Sequence, residues 1–300
     1  MVSVVCVGVS VWDVVFRVAA PPVIDAKTYA LDRTEVTGGI APNGARTVVR
    51  LGGRAVLGSR LGEDLTAQSV LAELRGEGIV VDGVHFVPGG RTSYSAVIVD
   101  PSGDRTIVND TDPRTLRGTE GVPLAAIDGA DAVLADTRWA DGALVAIERA
   151  ARRGIPTVMD FDRAPDDGGA ERILATATHV VFGRQGLASF IGTDDIAEGL
   201  KRVRPMARGW IGTTSSADGI YWLEGERLAH APGFPVEAVD TLAAGDIWHA
   251  AFAVGLAEGM PEATAARFAN ATAALKCSRP GGGAGAPTRP EVEQLLRSAG

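Results

Sequence analysis

Residues 2–9, Val-Ser-Val-Val-Cys-Val-Gly-Val, form a short β-branched apolar run without strict alternation. A strand exposed on one face alternates, whereas a strand buried on both faces of a parallel sheet reads as a continuous apolar run. Such a strand needs helices on both sides, and the sequence supplies them. Residues 43–51 have helical spacing and stop at Gly52-Gly53, residues 55–59 read as a strand, and residues 66–75 as a helix ending near Gly76 and Gly78. The order recurs in strand 132–134, helix 142–152, strand 157–160, helix 170–175, strand 179–182 and a helix near 196–203. This alternation predicts a three-layer α/β fold with a mostly parallel central sheet.

Two segments break the rhythm. Residues 14–36, and residues 92–109 with a Pro101-Ser-Gly-Asp104 turn, read as antiparallel hairpins outside the main sheet. A small β-sheet built from these two insertions is expected to form a lid over a cleft. Without internal repeats, low-complexity stretches or a linker, residues 1–300 are expected to form a single domain with an inserted lid.

The chain has 46% hydrophobic residues, enough to bury a sizeable core. With 29 Lys and Arg against 37 Asp and Glu, its net charge of −8 offers no broad positive field for nucleic acid or a membrane surface. An acidic ligand must be caught locally, and Lys27, Lys201 and Lys276 are the only lysines available. Cys6 and Cys277 read as free thiols of a reducing compartment. The N-terminus lacks the charge and length of a signal peptide, and no stretch approaches about 18 apolar residues. The expected location is therefore the cytoplasm. His85, His179, His230 and His249 show no metal-ligand spacing, and no metal site is expected among the side chains.

The segment with most chemical content is Val239-Asp240-Thr241-Leu242-Ala243-Ala244-Gly245-Asp246, which runs into the helical pattern 247–258. Small residues entering a helix leave backbone N–H groups facing open space, where the positive helix end can hold a phosphate or a developing anion. A carboxylate beside such a hole can accept a proton from an alcohol, the equipment for phosphoryl transfer. Asp240 and Asp246 can equally be ordinary helix-start residues.

Asp240-Thr241-x-Ala243-Ala244-Gly245-Asp246 resembles the Asp-Thr-x-Gly-Ala-Gly-Asp signature of the ribokinase-like (PfkB) carbohydrate kinases. Gly38-Gly39-Ile40-Ala41-Pro42-Asn43-Gly44-Ala45 resembles that family's Gly-Gly-x-x-x-Asn-x-Ala segment, and Leu57-Gly58 through Leu61-Gly62-Glu63-Asp64 the strand and loop that follow. The resemblance implies an ATP-dependent sugar kinase using Mg²⁺. It implies Asp246 as catalytic base, with the backbone of Ala243, Ala244 and Gly245 as the anion hole. Asp13, Gly39 and Asn43 match sugar-binding positions. Thr213-Thr214-Ser215-Ser216-x-x-Gly219 resembles the strand and loop that contact ATP, giving Thr214, Ser216 and Gly219, with Asn270 and residues 277–283 expected around adenine.

Three departures stand out. Ala243 replaces a glycine, which is harmless at negative φ and strained at positive φ. Ser216 also replaces a glycine. Phe182-Gly183-Arg184-Gln185-Gly186 occupies the place of the family's Asn-x-x-Glu element, so Mg²⁺ must be held mainly by nucleotide phosphates and water.

The resemblance also implies that Lys27, Asn109 and Arg138 face the sugar, and converging there they would make a pocket for a second anion that it carries. Lys27 and Arg138 can also be read as solvated surface charges. Ala135-Asp136-x-Arg138-Trp139-x-Asp141-Gly142-Ala143 and Ala273-Ala274-Leu275-Lys276-Cys277-x-Arg279-Pro280-Gly281-Gly282 resemble the branch of bacterial sulfofructose kinases. That resemblance implies phosphorylation of the 1-hydroxyl of 6-deoxy-6-sulfofructose, with Lys27, Asn109 and Arg138 at the sulfonate. The competing substrates are fructose 6-phosphate or a neutral sugar such as fructose or ribose. A competing class is a sugar- or nucleotide-binding regulator with little catalysis. The lid strands are expected to pair into a homodimer.

Overall fold

In the computed structural model, which describes residues 1–102, 105–165 and 168–299, the N-terminal apolar run becomes β1 (Ser3–Val7). The chain leaves the main body through β2 (Val11–Val18) and β3 (Ala30–Gly38), then returns in α1 (Ile40–Arg50) and β4 (Arg54–Gly58). It continues through β5 (Arg60–Gly62), α2 (Leu65–Gly76) and β6 (His85–Val87) before a second excursion in β7 (Ser93–Val99) and β8 (Arg105–Asp110). After α3 (Leu124–Asp128) come β9 (Ala132–Asp136), α4 (Ala140–Arg153), β10 (Thr157–Phe161), α5 (Gly169–Thr176) and β11 (His179–Gly183). Then follow α6 (Arg184–Ile191), α7 (Ile196–Val203), β12 (Trp210–Thr214), β13 (Ile220–Glu224) and β14 (Arg227–Ala231). The C-terminal part is α8 (Ala244–Ala257), α9 (Glu262–Cys277) and α10 (Arg289–Ser298).

The main sheet has the order β14-β13-β12-β11-β10-β9-β1-β4, parallel from β4 to β12 and antiparallel at β13 and β14. The missing alternation in β1 has a direct cause. Val4 and Cys6 enter one core with Val48 of α1 and Phe252 of α8, while Val5 and Val7 enter another with Ile147 of α4 and Ile173 of α5. Val4, Val5, Cys6 and Val7 are fully buried, and each such valine contributes on the order of 1.5–3 kcal/mol.

The two excursions form a second sheet, β3-β2-β7-β8, in which antiparallel hairpins β2–β3 and β7–β8 meet through a parallel β2–β7 pairing. The first hairpin begins at Val11 rather than at residue 14. Of the expected 101–104 turn, residues 103 and 104 lie outside the described residues. Helix α1 begins three residues earlier than its apolar spacing predicts. Gly39 caps it at φ 98°, and Pro42 sits in the first turn, where no backbone donor is needed. Both cysteines are free, Cys6 buried and Cys277 half-buried. Among the described residues no helix is long and apolar enough to cross a membrane.

Candidate active site

The segment before α8 is shaped by Asp240. Its carboxylate accepts hydrogen bonds from the amides of Leu242 (2.8 Å) and Gly282 (2.9 Å), turning the chain so that Ala243 becomes the helix cap. Ala243 has φ 63° and ψ 11°, so the strained alternative applies: its methyl group occupies left-handed backbone at a cost of roughly 1 kcal/mol. Of the three expected hole residues, Ala244 donates its amide to Thr241 O (3.3 Å). Gly245 is exposed, and a Cβ there would meet nothing within 4 Å, so the helix end is open.

Asp246 follows in the first turn of α8, half-buried, and accepts a 2.7 Å hydrogen bond from Asn43 Nδ2. Asn43 lies on α1, where Arg46 Nη1 donates to its Oδ1 (3.1 Å). Arg46 is itself buried, donating to Thr37 O and paired with Glu73 and Glu77. The backbone at Gly283 approaches so closely that a Cβ would lie 1.9 Å from Asn43 Oδ1. The amide is therefore fixed from both sides, with its NH₂ aimed at Asp246. Burial raises the Asp246 carboxyl above the ordinary range; Asn43 and Arg138 oppose the shift and the charge of Asp162 adds to it.

Further carboxylates gather at the C-terminal ends of the parallel strands, where ligands bind in open α/β sheets. Asp136 closes β9, is fully buried, and accepts from the amides of Val9, Arg138 and Trp139. Burial lifts its pKa to about 6 despite those bonds. Asp160 near the end of β10 is buried 3.3 Å from His249 Nδ1, which also contacts Gly245 O at 2.7 Å. His249 thus supports the α8 entry from behind. Asp13 stands inside lid strand β2 rather than in a loop past β1. Its carboxyl is raised to about 6, first by burial and further by the charge of Asp246, against a hydrogen bond from Ser95. Gly39 packs so tightly that a Cβ would meet Val9 O at 2.4 Å.

Between the lid and the strand ends lies a cavity of about 450 Å³. Ser93 and Asn109 line it from the lid, Thr137 and Arg138 from the β9 end, together with Arg117 and Arg163. Two of the three expected anion-binding residues, Asn109 and Arg138, therefore share one cavity. Lys27 does not line it and lies in the exposed loop joining β2 to β3. Asn109 donates to Ser95 Oγ (3.0 Å), and Arg138 pairs with Asp162 at 2.6 Å. Sequence reasoning missed Arg117, Arg163, Asp136, Asp160 and Asp162. The positions of Asp136, Asp160 and Asp162 at strand ends are a usable signal for three of them.

On the other side of α8, Thr214 ends β12, with its hydroxyl 3.4 Å from Phe182 O. Ser216 has φ 46°, which accounts for the glycine expected there. A Cβ at Gly219 would meet Ala231 O at 2.2 Å. Asn270 corrects the expectation of a nucleotide contact. It is buried, donates to Ala231 O (2.9 Å) and Pro232 O (3.0 Å), and accepts from Trp248 Nε1 (2.7 Å), so it holds the wall together rather than facing a ligand. Arg184, in the position of the missing Asn-x-x-Glu, opens α6 and reaches Ser215 Oγ (3.4 Å).

The model of the pfkB family carbohydrate kinases matches residues 1–289. The ribokinase of Bacillus subtilis (strain 168) is 30% identical over 269 residues, 87% of this chain and 88% of that protein. An ATP-dependent ribose-1-phosphate kinase of Halopiger xanaduensis is 27% identical over 303 residues, 99% of this chain and 98% of that protein. The crystal structure of a provisional ribokinase from Agrobacterium tumefaciens superposes with a TM-score of 0.94 at 36% identity, covering 99% of this chain and 98% of that one. The architecture is accordingly the ribokinase-like α/β fold, with its large central sheet and smaller second sheet.

Proposed function

Since this chain belongs to the pfkB family of carbohydrate kinases and is an ATP-dependent enzyme of that class, we propose that its acceptor is the 1-hydroxyl of a ketohexose bearing a terminal anion, with 6-deoxy-6-sulfofructose as the leading candidate. The observation that carries this reading is the cavity in which Arg138, Arg117 and Arg163 gather in a chain of net charge −8. Guanidinium groups offer paired donors that match a sulfonate or phosphate. That a relative spanning nearly the whole chain is named for ribose 1-phosphate, a sugar carrying an anion, is consistent with it.

In this reading Asp13, Gly39 and Asn43 hold sugar hydroxyls, while Asn109 and Arg138, with Lys27 from the lid loop, take the distal anion. Asp246 orients the attacking hydroxyl and accepts its proton, helped by a carboxyl that burial raises above the ordinary carboxylate range. The open α8 end, with the amides around Ala243 and Gly245, stabilises charge on the phosphoryl group in transfer. Thr214, Ser216 and Gly219 border the ATP side. The chain's own side chains do not fit a protein-held Mg²⁺ at the 182–186 segment, because Arg184 there repels a cation and attracts phosphate. Mg²⁺ would arrive with the nucleotide.

The test is ATP consumption against sulfofructose, fructose 6-phosphate, ribose 1-phosphate, fructose and ribose. Arg138→Ala should lower kcat/KM for the anionic sugar by about 10- to 100-fold, the equivalent of one charge-assisted contact of 1.5–3 kcal/mol, and lower it less for a neutral sugar, which loses only the effect of the Arg138 charge on Asp246. Equal losses on both would sink the anion pocket. Preferred turnover of ribose or fructose would favour the neutral-sugar reading, which the Bacillus subtilis relative supports. Sugar and nucleotide binding without turnover would favour a regulator.

We further propose a cytoplasmic enzyme in which residues 1–300 form one domain. It would be paired as a homodimer through the lid, where Leu31, Ile107 and Val108 expose apolar surface. Sedimentation of the full chain distinguishes dimer from monomer.

A further inference from the structure

Lys27 and Lys201 are exposed, but Lys276, near the end of α9, has no exposed surface. Its Nζ donates to Asp240 O at 2.6 Å, lies 3.2 Å from Asp240 Oδ2, and lies 3.4 Å from Arg279 O. A buried ammonium is tolerated only when oxygens replace its water, and these three oxygens do so. The stem is gripped as well, since a Cβ at Gly285 would lie 3.1 Å from Lys276 Cδ.

The same Asp240 carboxylate holds the amides of Leu242 and Gly282. One ammonium therefore sits where two loops meet, residues 240–243 before α8 and residues 278–285 after α9. The first contains Ala243 in its strained conformation, and the second presses Gly283 against Asn43, the partner of Asp246. Burial pushes the Asp240 carboxyl up, but the Gly282 and Leu242 amides and the lysine charge overcome it, so it stays ionised and keeps its grip.

We propose that Lys276 is a positioning residue whose ammonium serves as a built-in cation, locking the loop before α8 in the shape the phosphoryl-transfer step needs. It follows that wild-type activity is indifferent to added monovalent cations. This rests on the kinase reading above. Cutting the side chain back to Cβ leaves a space lined by a carboxylate and carbonyl oxygens, a donor set that suits a small hard cation. Lys276→Ala should therefore be rescued by such an ion, whereas Lys276→Met fills the stem's volume and leaves no room for one.

The experiment uses the full chain and both variants, with potassium or ammonium chloride compared with tetramethylammonium chloride at equal ionic strength. Wild-type kcat and melting temperature should be the same in all three salts. Both variants should lose about 10- to 100-fold in kcat with little change in sugar KM, as expected when reacting groups are held but misaligned. Potassium or ammonium should restore kcat several-fold in Lys276→Ala, and raise its melting temperature, without doing either in Lys276→Met. Wild-type kcat in Lys276→Met, or equal salt responses in both variants, would overturn the proposal. If Lys276→Ala does not fold, the kcat of Lys276→Met decides. If the wild type consumes no ATP with any sugar, the kinase reading fails, and the salt-dependent melting still tests the cation cage.

Discussion

Asp246→Asn separates catalysis from folding at the centre of the site. The substitution keeps an oxygen for the Asn43 Nδ2 bond at 2.7 Å and the size of the side chain, while removing the proton acceptor. Loss of a general base costs about 10²- to 10⁴-fold in rate, or about 3 to 5 kcal/mol of barrier. Stability should move the other way. The folded carboxyl is raised above its unfolded value by burial, with Asp162 adding to the shift. A carboxyl raised on folding contributes stability that is present below its unfolded pKa and lost as pH rises through the folded one. At pH 7.5 the ionised Asp246 is therefore a burden, and the asparagine variant should melt no lower than wild type. As pH falls towards the unfolded carboxylate range the difference should vanish. A coupled ADP-release assay gives kcat, and thermal unfolding at several pH values gives stability. Retention of wild-type kcat would refute the base assignment. A kcat loss accompanied by a lower melting temperature at pH 7.5 would refute the argument that the site holds this carboxylate at a cost.

Ala243→Gly removes the left-handed alanine, worth roughly 1 kcal/mol, but increases unfolded-state entropy by about 0.4–1 kcal/mol. The melting temperature should stay within about 3 °C, and kcat should not fall; a clear kcat loss would mean that the methyl group makes a needed contact. Asp13, raised to about 6, accepts sugar hydroxyl hydrogens best when ionised, so sugar KM should fall as pH rises through about 6. Asp13→Asn should flatten that dependence and, by the same sign argument as for Asp246, should not destabilise the protein at pH 7.5; an unchanged pH profile in the variant would exclude Asp13 from the effect.

The parts of this chain that were legible in its sequence are those where one residue type answers one local demand. The β1 run declares double burial because each of Val4 to Val7 must enter one of two cores. The Asp240–Asp246 segment declares itself because only small residues and caps fit a helix entry facing a ligand. Helix α9 was less legible: its alanines are buried on several faces, so the period of an amphipathic helix is weak. Sites assembled from distant loops fared worst. Lys27 had the right charge but sits on the exposed lid loop, whereas Arg117 and Arg163 reach the cavity from segments with no motif. Asn270 shows the converse error, a polar residue at the expected place whose hydrogen bonds are spent inside the wall.

The charges of the site also dictate how two substrates must share it. Asp13, Asp160, Asp162 and Asp246 act on one another there, with Arg138 as an opposing charge, and several are already raised. A triphosphate laid over these groups would raise them further and disfavour the ionised form of the base. Besides the arginines of the cavity, the open end of α8 and Arg184 beside Ser215 offer positive groups on the nucleotide side. Since α8 packs behind β1, β9 and β10, its N-terminus lies near mid-sheet, between the β9 end with its cavity and the β11–β12 end with its loop. The proposed function accordingly takes the phosphate chain along β11 and β12, and the sugar over β9 and the lid. Asp246, at the start of α8, stands on the boundary between them, where a carboxylate can meet the acceptor hydroxyl without facing the bulk of the nucleotide's charge.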